Sequence, residues 1–188
     1  MRELVPDHHP LRQLFTALTE RTFVQKLGWP DLDVVEYVAN LLIDFIHIDQ
    51  LYRIRNCAGM RLEEIAGMLQ EADLLLNAGS LEREREVHRH IGDFTLFMVG
   101  IFPEFIKRIK IKQWIHHPDF LIDYIKVGKY SYRNVSEFNY GEYKESVPLF
   151  RKLSENFELC VMGLGYVKNH LDHLPDQQYL QARDILLN

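Results

Sequence analysis

Cysteine is scarce in this chain of 188 residues: Cys57 and Cys160 are the only two. They lie too far apart for a Cys-x-x-Cys pair and are too few for a disulfide framework, which excludes a small stapled scaffold and favours a reducing compartment. No apolar run reaches the length of a membrane span, so no transmembrane helix is expected. The opening residues, MRELVPDHHPLRQLF, meet proline, aspartate and two histidines before any apolar run, which fits neither a signal peptide nor a transit peptide. The cytoplasm is the expected location. An excess of positive charge is also missing: 22 Lys and Arg stand against 27 Asp and Glu, a net charge of -5 with no global pull toward nucleic acid. Period-two alternation, internal repeats and low-complexity linkers are absent too, which leaves sheets and solenoids without support.

What is present is helical. Hydrophobic residues make up 47% and charged residues 26%, the balance of a globular domain, and one domain over residues 1–188 is expected. Gly28 and Asp31 separate a first helix, about residues 8–27, from a second that runs over residues 31–54. On the second, Val38, Leu42, Phe45 and Tyr52 form one stripe that also contains Asp49, while Asp33, Glu36, Asn40, Asp44 and His47 mark a solvated face. A shorter helix follows over residues 61–76, and Ser80 is placed to cap the next.

That next helix begins in alternating charge and ends almost wholly apolar. Val87, Ile91, Phe94, Met98 and Ile101 build one ridge, yet Leu96, Val99 and Phe97 cover the other sides. A helix apolar all round is buried all round, so its second half is expected at the centre of the fold. Pro103 kinks or restarts it. A basic amphipathic stretch comes next, then a helix opening at Pro118 with Leu121, Ile125, Gly128, Tyr132 and Val135 on one face. From Pro148, the positions Phe150, Leu153, Phe157, Cys160, Leu164, Val167 and Leu171 keep a three-four spacing that predicts one long core helix, and residues 176–187 a short terminal one. The sum is an all-α bundle of six to eight helices around a buried central helix.

Few motifs carry chemistry. Gly163 and Gly165 resemble half of a dinucleotide loop, but the third glycine is replaced by Lys168 and the helical repeat runs straight through them. Close helix packing explains them better, as it does Gly100 and Gly128. Glu86, His90 and Asp93 share a helical face, and oxygen with imidazole donors there would suit a divalent metal if other helices added more. Neither Glu-x-x-His nor His-Glu-x-x-His occurs, however. His88 points elsewhere. The His170 to His173 pair lies at a helix end, where it compensates the dipole.

Buried acid is the sharper signal. Desolvating a carboxylate costs several kcal/mol unless it is paired, yet Asp93 opens the all-apolar half of its helix and Asp49 lies in an apolar stripe. The candidate donors are His90, Arg53, Arg55, Arg85, Arg89, Tyr130 and Tyr132. Either these groups form a network that fixes helix register, or Asp93, His90 and Tyr132, with Asp49, form the polar floor of a ligand pocket. Lys107, Arg108, Lys110 and Lys112 alternate with Ile106, Ile109, Ile111 and Trp114, a pattern of a docked surface helix. Contact of residues 105–115 with an anionic membrane surface or an acidic partner is the lesser alternative.

The run RHIGDFTLFMVGIFPE, with VGKYSY and LSENFELCVMGLGYV after it, resembles a bacterial family of uncharacterised helical proteins over roughly the second half of the chain. The resemblance implies a bacterial origin and transfers no activity. The residues specify no cofactor. The expected function is a non-catalytic binding or interaction module, through self-association or a protein partner and without nucleic acid. The alternative is an enzyme or sensor that holds a small ligand or divalent metal in the bundle interior near Asp93.

Overall fold

The computed structural model describes residues 10–45, 47–73, 77–111, 117, 119 and 122–173, and the regular elements among them are all helical. Helix α1 (Pro10–Glu20) continues through a π-helical stretch, Arg21–Lys26, and stops at Gly28, whose φ of 66° lies in the left-handed region that favours glycine. Asp31 then accepts a hydrogen bond from the Val34 amide, 3.3 Å, at the start of α2 (Leu32–Phe45). After α3 (Ile48–Leu51) and α4 (Ile65–Ala72) comes the long α5 (Leu81–Ile101). The chain continues with α6 (Pro103–Ile111), α7 (Tyr124–Glu137), a 3-10 turn (Gly141–Ser146), α8 (Val147–Glu155) and α9 (Phe157–Leu171).

The fold is therefore all-α, with nine α-helices among the described residues where six to eight were expected. Two expected helices are each broken. The helix expected over residues 31–54 stops at Phe45, and His47, with an extended backbone, restarts the chain as α3. The expected core helix from Pro148 breaks at Asn156 (φ -112°, ψ 29°), whose side-chain amide donates back to the Lys152 carbonyl at 3.0 Å. Asparagine competes in this way with the helical ladder. Phe150, Leu153, Phe157, Cys160, Leu164, Val167 and Leu171 are nevertheless all buried, so the three-four stripe survives the break. The helix expected over residues 61–76 starts only at Ile65, after Arg55 and Arg61 pair in a bridge across the preceding loop, and its last three residues lie outside the described ones.

α5 is the centre. α2, α4, α6, α7 and α9 all contact it, and α7 runs along it most extensively. Its N-terminus is set by Ser80, whose hydroxyl oxygen accepts from the Arg83 amide at 3.1 Å. Ser80→Ala is expected to cost about 1 kcal/mol and to lower the melting temperature by about 2–4 °C, measured by thermal denaturation. At its other end Phe102 closes α5 and Pro103 opens α6, the restart that the proline predicts.

Glycines let the neighbours come close. A Cβ at Gly92 would lie 2.6 Å from the Tyr132 ring, one at Gly100 2.5 Å from Leu164, and one at Gly163 2.5 Å from Phe23. The Gly-x-Gly pair is thus split in role: Gly163 is a packing contact, and Gly165 meets nothing within 4 Å. On α6, Ile109 is buried while Lys107 and Arg108 are exposed, as a docked amphipathic helix requires. Lys112, Trp114, Pro118, Leu121 and the expected terminal helix lie outside the described residues, and α7 is capped by Asp123, which accepts from the Lys126 amide at 3.1 Å. No helix among the described residues is long and apolar enough to cross a membrane.

Candidate functional site

Asp93 enters the core one turn after the charged part of α5 and is 5% exposed. Its carboxylate is held from three helices. Tyr132 on α7 donates to Oδ1 at 2.9 Å, and Tyr37 on α2 donates to the same oxygen at 2.5 Å. Arg89, one turn earlier on α5, approaches Oδ2 at 3.9 Å and donates from Nε to the Tyr37 hydroxyl at 3.3 Å. A chain of donors therefore runs from the half-exposed guanidinium through Tyr37 to the acid, with Tyr132 closing it from the core side.

The aromatic rings around this chain brace one another. Tyr37 meets Tyr132 edge-on at 6.4 Å and Phe150 at 5.5 Å, and Tyr132 also touches Phe157 at 6.0 Å. Desolvation raises the Asp93 pKa above the usual carboxylate range, although Arg89 and the two hydroxyls oppose the rise. Burial and the neighbouring acid push both tyrosine hydroxyls well above their ordinary value, so both remain donors. The arrangement locks α2, α5 and α7 in register. The outer edge of Tyr37 borders a surface cleft of about 380 Å³, shared with Asp33, Glu36, Asn40, Ser146 and Leu149.

His90 is 0% exposed, between Phe45 (ring centroids 5.7 Å apart) and Phe94 (6.3 Å). Burial, then the charge of Arg53, pushes its pKa down to about 3, so the imidazole is neutral at physiological pH. The Leu51 backbone lies close enough to favour the charged form slightly, yet neither ring nitrogen makes a hydrogen bond of normal geometry.

The other candidates are dispersed. Asp49 is not buried: its side chain is 78% exposed and pairs with Arg61 at 2.6 Å. The break after Phe45 takes it out of the stripe that an unbroken helix would have continued. Glu86 faces solvent and pairs with Arg83 at 3.2 Å, so it does not join His90 and Asp93, and no group of three metal-binding side chains occurs among the described residues. Of the candidate donors to Asp93, Arg55 bonds the Gly59 carbonyl and Arg85 bonds Ser146. Tyr130 is exposed.

His88, set aside on its helical phase, is in fact buried. Ser131 Oγ lies 3.3 Å from Nδ1, Asn134 Nδ2 lies 2.9 Å from Nε2, and the Tyr130 ring covers the imidazole at 5.7 Å. Burial therefore begins at Val87, inside the charged half of α5. Burial lowers the His88 pKa to about 4. Because the unfolded chain then binds more protons between about pH 4 and 6.5, His88 favours the folded state above that window and loses its contribution as pH falls through it. His88→Gln is expected to flatten this part of the stability profile, measured as the urea midpoint from pH 7 to 4.

Two partners escaped the sequence reading. Tyr37 lies beside the polar face of α2, and Asp119, buried, falls in the helix expected from Pro118 but off its apolar stripe. Asp119 accepts from the amides of Ile65 and Ala66, each at 3.0 Å, and from the Tyr124 hydroxyl at 2.8 Å, so it caps α4 and ties it to α7. Comparison of the chain with family models, with curated proteins and with solved structures finds no match.

Proposed function

We propose that the chain is a non-catalytic, cytoplasmic interaction module that self-associates through the exposed side of the α5–α7 pair. The observation that carries this reading is a set of large exposed apolar and aromatic side chains on and beside the α5–α7 pair. Tyr130 on α7 is 57% exposed and Tyr140, just beyond α7, is 42% exposed, with Leu81 exposed at the start of α5. Tyr140 stands within electrostatic reach of Glu82, Glu84 and Arg85, and at the far end of α7 Lys126 pairs with Asp123 at 3.6 Å. A copy related by a two-fold axis would set the exposed tyrosines of one chain against those of the other. Closed self-association requires such self-complementarity, and tyrosines suit the centre of an interface.

Two further features support the reading. The acid best placed for chemistry, Asp93, is spent on pinning three helices, and both cysteines are free, one exposed and one buried, as a reducing compartment allows. Light scattering across a concentration series tests the proposal. The mass should rise toward that of a dimer, and the Tyr130→Ala, Tyr140→Ala double variant should stay monomeric; a wild type that is monomeric throughout defeats it.

A second reading, a ligand held in the bundle interior near Asp93, is favoured by the unpaired nitrogens of His90. The divalent-metal form of that reading has less support, since Glu86 turns away to Arg83.

A further inference from the structure

Two buried polar groups without partners stand on adjoining elements. His90 is fully enclosed with both ring nitrogens unbonded, and Arg53 Nε is buried without an acceptor. Packing brings their segments together. Leu51, fully buried, lies with its backbone beside the His90 imidazole; the next residue, Tyr52, has its ring 5.9 Å from Phe94, which in turn touches His90. Arg53 follows directly.

Charge around this point is uneven. Three arginines lie within electrostatic reach of His90. Arg83 is committed to Glu71 and Glu86, and Arg89 to Asp93 and Tyr37. The Nε of Arg53 is buried without an acceptor among the described residues, and its charge also reaches Asp93. Leaving a buried donor unsatisfied costs about 1–3 kcal/mol and more for a charged group, so two such donors on adjoining segments call for an acceptor. A guanidinium Nε–H and the N–H of a neutral imidazole are both donors, and the surrounding arginines favour negative charge on whatever accepts from them.

We propose that Arg53 and His90 form a binding site for a small anion of carboxylate size. The Nε–H of Arg53 and one N–H of His90 converge on its oxygens, and Phe45 and Phe94 wall the imidazole side. Small size follows from the complete enclosure of His90, and a single charge follows from the number of donors. A formate-like carboxylate on a metabolite and a free inorganic ion such as chloride share this chemistry.

The test is a titration of the full-length 15N-labelled protein, exchanged into a buffer without small anions, with sodium formate, acetate, chloride and phosphate at constant ionic strength. The Arg53 Nε–H and His90 ring signals should shift saturably. The melting temperature should rise by about 5–10 °C at a hundredfold excess over Kd. Response to formate and acetate alone assigns the site to carboxylates, and response to chloride alone assigns it to an inorganic ion. Arg53→Met and His90→Phe should abolish both effects; phenylalanine fills the ring volume between Phe45 and Phe94, and Arg53 lies outside any helix, so each variant has its own route to remaining folded. Signals that no anion moves, or shifts that persist in both variants, overturn the proposal.

Discussion

Asp93→Ala is expected to destabilise the fold by about 3–5 kcal/mol, the cost of breaking a buried charged network from one side. Truncation leaves the hydroxyls of Tyr37 and Tyr132 without their acceptor in the core and takes from Arg89 the carboxylate it faces at 3.9 Å. For a chain of this length the melting temperature should fall on the order of 10 °C. Asp93→Asn separates charge from shape. Its amide oxygen still accepts from both tyrosines, but its NH2 replaces the oxygen that faces Arg89, so a loss of about 1–3 kcal/mol is expected.

The pH dependence of that pair has a definite sign. Desolvation raises the Asp93 pKa in the folded protein, so the native state holds the proton more tightly than the unfolded chain does. The contribution of Asp93 to stability is then greatest near and below about pH 4, where the acid is protonated in both states, and declines as pH rises through the folded pKa. The advantage of wild type over Asp93→Asn should therefore shrink with rising pH, measured as the difference in urea midpoints from pH 4 to 8. Taking the difference removes the opposite slope contributed by His88 and His90. An advantage that grows with pH would show that Arg89 and the hydroxyls outweigh burial.

Why Asp93 was visible in the sequence and Tyr37 was not is a matter of reach. Asp93 opens a stretch that is apolar on all sides, and no register of that helix leaves a carboxylate there exposed. Tyr37 sits four residues from Asp33 and three from Asn40, so periodicity assigns it to the polar face of α2. Only the length of its side chain carries the hydroxyl across to α5. Asp49 failed for the converse reason: its place in an apolar stripe assumed one helix over residues 31–54, whereas α2 stops at Phe45 and His47 has an extended backbone.

Non-local partners account for the rest. His88 looks solvated among alternating charges, but Ser131 and Asn134, which bond it, come from α7, and Asp119 caps amides more than fifty residues earlier in the chain. The stripe from Phe150 to Leu171 was legible as a core face because burial follows periodicity even across the break at Asn156, whereas the break itself depends on one side-chain amide folding back on a carbonyl. The helical class rested on many residues and survived every such local error. The site rested on single contacts between helices, which spacing along one helix cannot reveal.

Two glycines should answer the same substitution with opposite signs. At Gly128 on α7 an added Cβ would lie 2.4 Å from Phe157 and 2.5 Å from the Thr95 hydroxyl oxygen. Neither can yield cheaply: Phe157 is fully buried, and the Thr95 hydroxyl is bonded to the carbonyls of Ile91 and Gly92 at 2.7 and 3.0 Å. Gly128→Ala must push α7 off α5, so a loss of about 2–3 kcal/mol is expected from overpacking. The displacement would also drag Tyr132, one turn further along α7, away from Asp93. Gly165 on α9 meets nothing within 4 Å, and alanine there restricts the unfolded chain and improves helix propensity, a gain of about 0.5–1 kcal/mol. Thermal and urea denaturation of the two variants side by side provide the check. If Gly128→Ala proves neutral, α5 and α7 are not held at the separation that places both tyrosines on Asp93, and the buried network loses its geometric basis.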